Sequence, residues 1–333
     1  MRWRLQSGSP SSTTWKAASK PGRRLGCRSS FRQRDSSIAR IAIIGLGLIG
    51  GSTALALRAA GHRVTGFARR EATRIQAREL GAVDETPETL AEASYCADIV
   101  LLASPVLAVR GLLAQLAPHL AEGTVVTDAA STKAAVERWA LDVLPAHVRW
   151  VGGHPMAGKE TAGIEHADGT LFRGRTWCIV PPPAADPHAV ALVTALARDT
   201  GAHTLEIDAA SHDRAVAAVS HLPFVAAAAL AHAVIGDASF EHISAIAGTG
   251  LRDMTRLASG DATMHRDIAL TNRDNLVAQL EHYVACLHEV IALLRRVSKP
   301  DATGDAVDEP AVRELGAYFA GLKQARDVWL DRR

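Results

Sequence analysis

Residues 40–60 read RIAIIGLGLIGGSTALALRAA, and this stretch decides the fold of the chain. The apolar run before Gly45 predicts a buried strand, and the alanine- and leucine-rich segment that follows predicts a helix. Gly45, Gly47 and Gly50 fall at the turn between the two elements. A Gly-x-Gly-x-x-Gly turn between a strand and a helix is typical of dinucleotide-binding units, although the same string also occurs in plain strand–turn–helix connections.

In such a turn, the first glycine allows a sharp bend, the second lets the backbone approach a diphosphate, and the third lets the helix pack on its strand. The helix N-terminus, at Leu48 and Ile49, offers unpaired N–H groups to the anion. The sequence therefore predicts a cofactor site at Gly45, Gly47, Leu48, Ile49 and Gly50.

The first 40 residues differ in charge from the rest of the chain. Of the 37 Lys and Arg and 35 Asp and Glu residues, ten and one lie in residues 1–40, which leaves 27 and 34 in the remainder and a net charge of −7 there. This charge excludes a basic body of the kind that binds nucleic acid. Residues 1–37 are rich in Ser and Arg and predict a disordered basic tail, with a transit peptide as the alternative.

Other global features exclude further classes. The four cysteines lie far apart, without C-x-x-C spacing or nearby histidine pairs, so no metal site is predicted. No run of about 18 uninterrupted apolar residues indicates a membrane span. We expect a soluble cytoplasmic enzyme, or an organelle protein if residues 1–37 are a targeting segment.

The second predicted strand, HRVTGF, ends at Phe67, directly before Ala68 and about 20 residues after the glycines. An NAD enzyme usually has Asp or Glu there to bind the ribose 2′-hydroxyl. This chain has Arg69 and Arg70 instead, and guanidinium groups suit a 2′-phosphate. The position favours NADP, and NAD with Glu71 on the ribose is the alternative.

Further strands are predicted at 97–105, 123–127, 148–155, 176–180 and 203–207, separated by helices. The third strand ends at Ser104 and Pro105, which should face the cofactor. This alternation predicts an α/β fold, with a Rossmann-type doubly wound sheet over residues 38–208. Residues 209–333 predict an all-α domain. One long helix over Arg266–Arg296 carries an apolar stripe from Leu276 to Leu294, which indicates a homodimer.

Three loops should converge beside the cofactor: residues 128–133, 152–158 and 220–224. In the second loop His154 follows a strand, and a histidine can take a proton from a hydroxyl as hydride leaves the same carbon. In the third loop Pro223 must kink its helix, and His221 is either structural or functional. His212 and Asp213 are equally ambiguous. Arg252 and Arg256 stand one helical turn apart and either clamp carboxylates or form a solvated face.

The strings GLGLIGGS, DAASTK, GGHPMAG, SHLP and GLRDMTRLA occur in this order over roughly residues 38–296. In this combination the chain resembles the prephenate and arogenate dehydrogenase family of tyrosine biosynthesis. The resemblance implies a nucleotide-binding domain, a helical dimerisation domain, and NAD(P)-dependent oxidative decarboxylation of prephenate or arogenate. It implies that His154 is the catalytic residue, that Ser131 orients it, and that Arg256 binds the ring carboxylate. His221 and Lys133 are further candidates for substrate binding.

One position departs from the family pattern. Members selective for prephenate often have histidine directly after SHLP, whereas this chain has Phe224. Arogenate enzymes of cyanobacteria and plants resemble this chain in having an apolar residue there, so the resemblance favours arogenate and leaves prephenate open. Two other functions are compatible with the plan of the chain. A β-hydroxyacid dehydrogenase would need a catalytic lysine, which 266–296 lacks, and a silent NADP-binding regulator would not need Ser131, His154 and Arg256.

Overall fold

The computed structural model describes residues 39–159, 161–297 and 310–332. The predicted tail, residues 1–37, lies outside the described residues. The described chain divides into two compact units, one that runs through Arg273 and one that begins at Asp274.

A parallel five-stranded sheet forms the centre of the first unit, with strand order β2-β1-β3-β4-β5. Its strands are β1 (Arg40–Ile44), β2 (Arg63–Phe67), β3 (Ile99–Leu102), β4 (Val125–Asp128) and β5 (Arg149–Trp150). The helices between them are α1 (Leu48–Ala59), α2 (Glu71–Glu79), α3 (Leu90–Ser94), α4 (Val106–Leu116) and α5 (Ala134–Val143). The strand order reverses beside β1, so the carboxyl ends of β1 and β3 border the crevice where ligands bind in such sheets.

Both faces of this sheet are covered, as its continuous apolar strands require. In β1, Ile41 and Ile43 join one hydrophobic cluster, whereas Ala42 and Ile44 join the cluster on the opposite face. The first cluster includes side chains of α1, and the second includes side chains of α4. The predicted doubly wound architecture is confirmed.

The prediction that one sheet continues to Asp208 is wrong. The predicted strand at 148–155 is two strands, because the backbone leaves the parallel sheet after β5 and enters β6 (Gly152–Pro155) of a second sheet. There β6 pairs antiparallel with β7 (Thr176–Val180), which pairs parallel with β8 (His203–Glu206). Helix α6 (Pro187–Asp199) connects β7 to β8. The change of sheet turns His154, on β6, towards the helices that follow.

The rest of the described chain is helical, as predicted. It contains α7 (Ala209–Val216), α8 (Leu222–Ile235), α9 (Phe240–Ile243), α10 (Thr249–Thr255), α11 (Ala262–Thr271), α12 (Arg273–Arg296) and α13 (Pro310–Asp331). The single helix predicted over Arg266–Arg296 is wrong, because Asn272 leaves helical geometry at φ −127° and ψ 33° and separates α11 from α12.

Helix α12 exposes much of its predicted apolar stripe. Leu276 and Leu293 are buried, whereas Tyr283, Leu287, Ile291 and Leu294 are exposed in this chain. By length and mean hydropathy, two helical stretches, Ala209–Ile235 and Arg273–Arg296, could also cross a membrane. These two properties alone do not distinguish a lipid-facing helix from one that packs against another protein surface.

Candidate functional site

The predicted cofactor turn has the geometry that a diphosphate requires. Gly45 has φ +109°, a conformation that favours glycine, and a Cβ at Gly50 would overlap the carbonyl oxygen of Gly45. Helix α1 begins at Leu48, and its N-cap, Gly47, makes no side-chain capping bond. The Gly51 N–H donates to the Gly47 carbonyl over 2.8 Å, so the N–H groups of residues 48–50 precede the first helical bond. The turn can therefore hold a dinucleotide through its backbone.

The carboxyl end of β3 lies beside this turn. The Ala103 N–H donates to the Ile44 carbonyl over 2.8 Å, and the Ser104 hydroxyl donates to the same oxygen over 3.2 Å. Pro105 is the N-cap of α4. Ser104 and Pro105 thus border the crevice at the strand-order reversal, where the sequence places them.

The end of β2 exposes two cations. Ala68 is buried, whereas Arg69 and Arg70 are exposed directly before α2. The nearby Arg74 guanidinium donates to the Ala68 carbonyl over 2.8 Å and helps to fix this turn. The guanidiniums of residues 69 and 70 therefore stand at the strand end that normally faces the cofactor ribose.

A buried lysine joins the first two candidate loops. The Lys133 ammonium donates to the Asp128 carboxylate and, over 2.7 Å, to the carbonyl of Gly153. The Gly153 N–H in turn donates to Asp128 over 3.1 Å. Lys133 is 1% exposed, and burial lowers the pKa of its ammonium. The ammonium thus holds β6 against β4, and this geometry does not support the substrate-binding role predicted for Lys133.

His154 is the first member of a buried chain of three side chains. Its Nδ1 lies 2.9 Å from His212 Nε2, and His212 Nδ1 lies 2.8 Å from Asp213 Oδ1. His154 is 8% exposed, and both partners are 1% exposed. The three side chains come from β6 and α7, which are far apart in the sequence.

Asp213 is also the capping group of a second helix. Its Oδ1 accepts the Lys133 N–H over 2.7 Å, and its Oδ2 accepts the Ala134 N–H over 2.9 Å. These N–H groups belong to the N-terminus of α5, where the helix dipole and unpaired donors favour a negative charge. The carboxylate is therefore paired although it is buried.

Hydrogen-bond chemistry orders the protons along this chain of side chains. Because the Asp213 carboxylate only accepts, His212 Nδ1 must carry a proton, and neutral His212 then accepts at Nε2. His154 must donate from Nδ1, which leaves its Nε2 with a lone pair. Burial, together with the neighbouring His212, Lys133 and His221, holds the pKa of His154 well below its ordinary value. His154 is therefore a neutral base at neutral pH.

The third candidate loop is a π-helical turn. Pro223 cannot donate to the Val219 carbonyl, and the backbone widens over Ala217–His221, where the Leu222 N–H bonds to the Ala217 carbonyl five residues earlier. His221 is 2% exposed, and its Nδ1 lies 3.3 Å from Asn272 Nδ2. Burial lowers the pKa of His221 to about 4. The predicted kink is confirmed, and it buries His221 near His154.

The remaining predicted site residues take other positions. Ser131 is half-buried in the loop before α5, and in the part of the chain that the structure describes its hydroxyl makes no hydrogen bond to His154. Arg256 is exposed at the start of a 3-10 turn that follows α10. The Phe224 ring stacks on that of His265, with centroids 3.3 Å apart and planes at 6°.

Three residues of this site, His212, Asp213 and Asn272, have no role assigned from the sequence. His212 and Asp213 carry no local signal that separates a buried relay from a solvated helix face, and their partners lie 58 and 80 positions away in the sequence. Asn272 falls inside a segment whose apolar periodicity predicts an unbroken helix. The available signal was a polar residue four positions before the apolar stripe begins at Leu276.

Two family models match this chain. Residues 53–206 match the nucleotide-binding domain of prephenate dehydrogenase, and residues 208–303 match its dimerisation domain. The two matches meet beside the domain boundary that the sequence predicts at residue 208.

Relatives and solved structures agree with these matches. The chain is 32% identical to the prephenate dehydrogenase of Bacillus subtilis over 86% of this chain and 75% of that protein. It is 34% identical to the cyclohexadienyl dehydrogenase of Zymomonas mobilis over 75% of this chain and 86% of that protein.

Two crystal structures are each 30% identical to this chain. Prephenate dehydrogenase from A. aeolicus, in complex with hydroxyphenyl propionate and NAD+, has a TM-score of 0.78 and coverage of 86% and 97%. Synechocystis arogenate dehydrogenase has a TM-score of 0.73 and coverage of 87% and 99%.

Proposed function

Because the chain belongs to the prephenate and arogenate dehydrogenase family of tyrosine biosynthesis, we propose that His154 is the general base of its NAD(P)-dependent reaction. The ordered chain of hydrogen bonds from Asp213 through His212 carries this proposal, because it leaves the lone pair of His154 Nε2 available to a substrate hydroxyl. Positioned bases of this kind contribute about 10²- to 10⁴-fold to a rate.

The proton balance of the reaction suits this base. The ring carbon that bears the hydroxyl loses hydride to the nicotinamide when the cofactor is bound, and His154 takes the hydroxyl proton. The ring carboxylate then leaves as carbon dioxide, and its bonding electrons make the ring aromatic. The new phenol oxygen takes back a proton, so His154 returns to its neutral form. Aromatisation drives the decarboxylation, and no second acid is required.

His212 and Asp213 position this base. Transfer of a proton to His154 places a positive charge in a buried site, where an unpaired charge is costly. The hydrogen bonds of the His212 ring link His154 to the negatively charged Asp213 carboxylate, which stabilises that charge. The N-terminus of α5 holds the carboxylate in place. We assign Ser131 to orientation of the base and Arg256 to the ring carboxylate, by the resemblance of their motifs to those of the family.

For the cofactor, the chain binds NAD(P), and we assign a preference for NADP. Arg69 and Arg70 are exposed at the end of β2. Position 68, where an NAD enzyme has an acidic residue that binds the 2′-hydroxyl, is alanine. An arginine guanidinium forms two charged hydrogen bonds with a 2′-phosphate, and the uncharged 2′-hydroxyl of NAD cannot form this pair. The A. aeolicus relative binds NAD+, so the preference of this chain rests on its own β2 end.

For the substrate, we assign arogenate over prephenate. Phe224 replaces the histidine that often follows SHLP in prephenate-selective members, and its ring is stacked on His265. A hydrogen-bond donor to the substrate side chain is thereby absent at this position.

We also assign the exposed apolar faces of this chain to a homodimer. The match to the dimerisation domain spans α8 and α12; α12 is largely exposed in the single chain, and most of α8 is half-buried. A second copy would cover them.

Steady-state assays with both substrates and both cofactors test these assignments. We expect the highest kcat/KM with arogenate and NADP, and a shift towards prephenate in Phe224→His. A higher kcat/KM with prephenate in the wild type would overturn the substrate assignment. Activity with neither ring substrate would overturn the function itself.

A further inference from the structure

His221 has one ring nitrogen with a partner and one without. Its Nδ1 faces Asn272, whereas its Nε2 is buried and makes no hydrogen bond to any described residue. A buried polar atom that lacks a partner costs about 1–3 kcal/mol. Such an atom in a site beside a catalytic base indicates that a ligand supplies the missing partner.

The orientation of the Asn272 amide is fixed by a second contact. Its terminal nitrogen lies 2.7 Å from the main-chain carbonyl oxygen of Asp213, and a carbonyl oxygen can only accept. The atom that faces this carbonyl must therefore be the NH2 group and not the amide oxygen. An NH2 group has two protons, one for the Asp213 carbonyl and one for His221 Nδ1.

The tautomer of His221 follows from this orientation. A ring nitrogen that accepts from an NH2 group carries no proton, so the proton of the neutral ring must sit on Nε2. We propose that Asn272 is a positioning residue that holds His221 as the Nε2–H tautomer, and that this buried N–H donates to an acceptor oxygen of the substrate. This inference rests on the proposed function for the location of the substrate beside His154.

The proposal restricts the chemistry of the group that His221 binds. An N–H donor suits a carboxylate, carbonyl or hydroxyl oxygen, and it disfavours an ammonium group. Burial keeps the ring neutral, with a pKa of about 4, so the contact is a neutral hydrogen bond at neutral pH. The two histidines beside the substrate thus have opposite assignments, with His154 Nε2 as acceptor and His221 Nε2 as donor.

Asn272 also explains why α11 ends where it does. The residue leaves helical geometry at the C-cap of α11, and its side chain is 4% exposed. That break places one amide against both the Asp213 main chain and the His221 ring. An unbroken helix over this segment would pair the main-chain hydrogen-bonding groups but would point the Asn272 side chain in another direction.

Nitrogen NMR of the full-length protein labelled with [15N]histidine tests the tautomer without any variant. Protonated and unprotonated ring nitrogens differ strongly in chemical shift, and His221→Gln identifies the His221 signals. We expect a protonated Nε2 and an unprotonated Nδ1 in the wild type. A proton on Nδ1 would overturn the proposal whether or not the protein is active with either ring substrate.

Addition of hydroxyphenyl propionate, which carries a carboxylate and a phenol, tests the ligand contact. We expect it to shift the signal of the His221 Nε2–H, with a smaller effect on Nδ1. If the compound binds by calorimetry and leaves Nε2–H unchanged, the donor role is wrong.

A double-mutant cycle separates the tautomer from the charge at residue 272. Asn272→Asp presents only acceptors to His221 and should move the ring proton to Nδ1, with a rise in KM on the order of tenfold. In the His221→Gln background, where the Gln amide donates without help, the same substitution should change KM little. An equal rise in both backgrounds would show a charge effect and overturn the positioning role. Gln115→Glu makes the same amide-to-acid change on α4 and should leave KM unchanged.

Discussion

His154 Nδ1 lies 2.9 Å from His212 Nε2, so the catalytic candidate on β6 is held by a ring from α7. This contact fixes which nitrogen of His154 can act as a base. It also ties the base to a carboxylate that caps α5. The chemistry of the site can therefore be perturbed at three residues with different expected results.

Replacement of the base should abolish most of the turnover. His154→Asn keeps a polar side chain but cannot take a proton at neutral pH, so kcat should fall about 10²- to 10⁴-fold. Cofactor affinity should stay the same, because we assign the cofactor site to residues 45–50 and 69–70. Steady-state kinetics and fluorescence titration measure the two quantities, and wild-type kcat in this variant would assign the base elsewhere.

The fall of kcat/KM at acidic pH should occur at a lower pH than for an ordinary histidine. The pKa of His154 is lowered by burial, so the neutral base persists below the ordinary histidine range and is lost only as pH falls through the lowered pKa. We expect kcat/KM to remain flat from pH 7.5 through about 6.5, the ordinary histidine pKa, and to decline only well below it. A decline that begins above pH 7 would contradict the buried, neutral assignment.

The relay should be visible in Asp213→Asn. This variant keeps one acceptor for α5 but loses the charge that supports a protonated His154, and we expect kcat to fall roughly 10- to 100-fold, a loss of about 1.4–2.8 kcal/mol. Asp208→Asn is the matched control, since Asp208 caps α7 by accepting the Ser211 N–H and lies outside the relay. Equal losses in both variants would assign the effect to helix capping alone.

Cofactor preference should depend on the end of β2. The double variant Arg69→Ala/Arg70→Ala should weaken NADP binding by at least tenfold and NAD binding little, because only NADP loses charged partners. Calorimetry with each cofactor measures both. Arg78→Ala removes an exposed arginine from the last turn of α2 and serves as the control. Similar losses for the two cofactors would refute recognition of a 2′-phosphate.

Association should depend on the exposed stripe of α12. Leu287→Glu places a carboxylate on a side chain that is 44% exposed in the single chain and that we assign to the dimer. Sedimentation at micromolar concentration should then show a monomer, whereas His288→Glu, one position along the same helix, should remain dimeric. A wild-type monomer would disprove the homodimer.

The sequence predicts the parts of this molecule that depend on local patterns. The strand, glycine turn and helix at residues 40–60, the kink at Pro223 and the helical region after residue 208 all follow from periodicity and backbone constraints, and all are present. The second sheet is not predictable in this way, because the change after Trp150 depends on the pairing of β6 with β7. Lys133 is similar: the sequence makes it a candidate for substrate binding, but tertiary packing buries it against Asp128.

The Asp213 carboxylate has a consequence for folding. It bonds to the N–H groups of Lys133 and Ala134, 80 and 79 positions away, and to the ring that holds the base. Closure of so long a loop is a late and entropically costly event in folding. We therefore expect the start of α5 and the orientation of His154 to be completed in the same step. During refolding, amide protection at the first turn of α5 and the return of enzymatic turnover should share one rate constant.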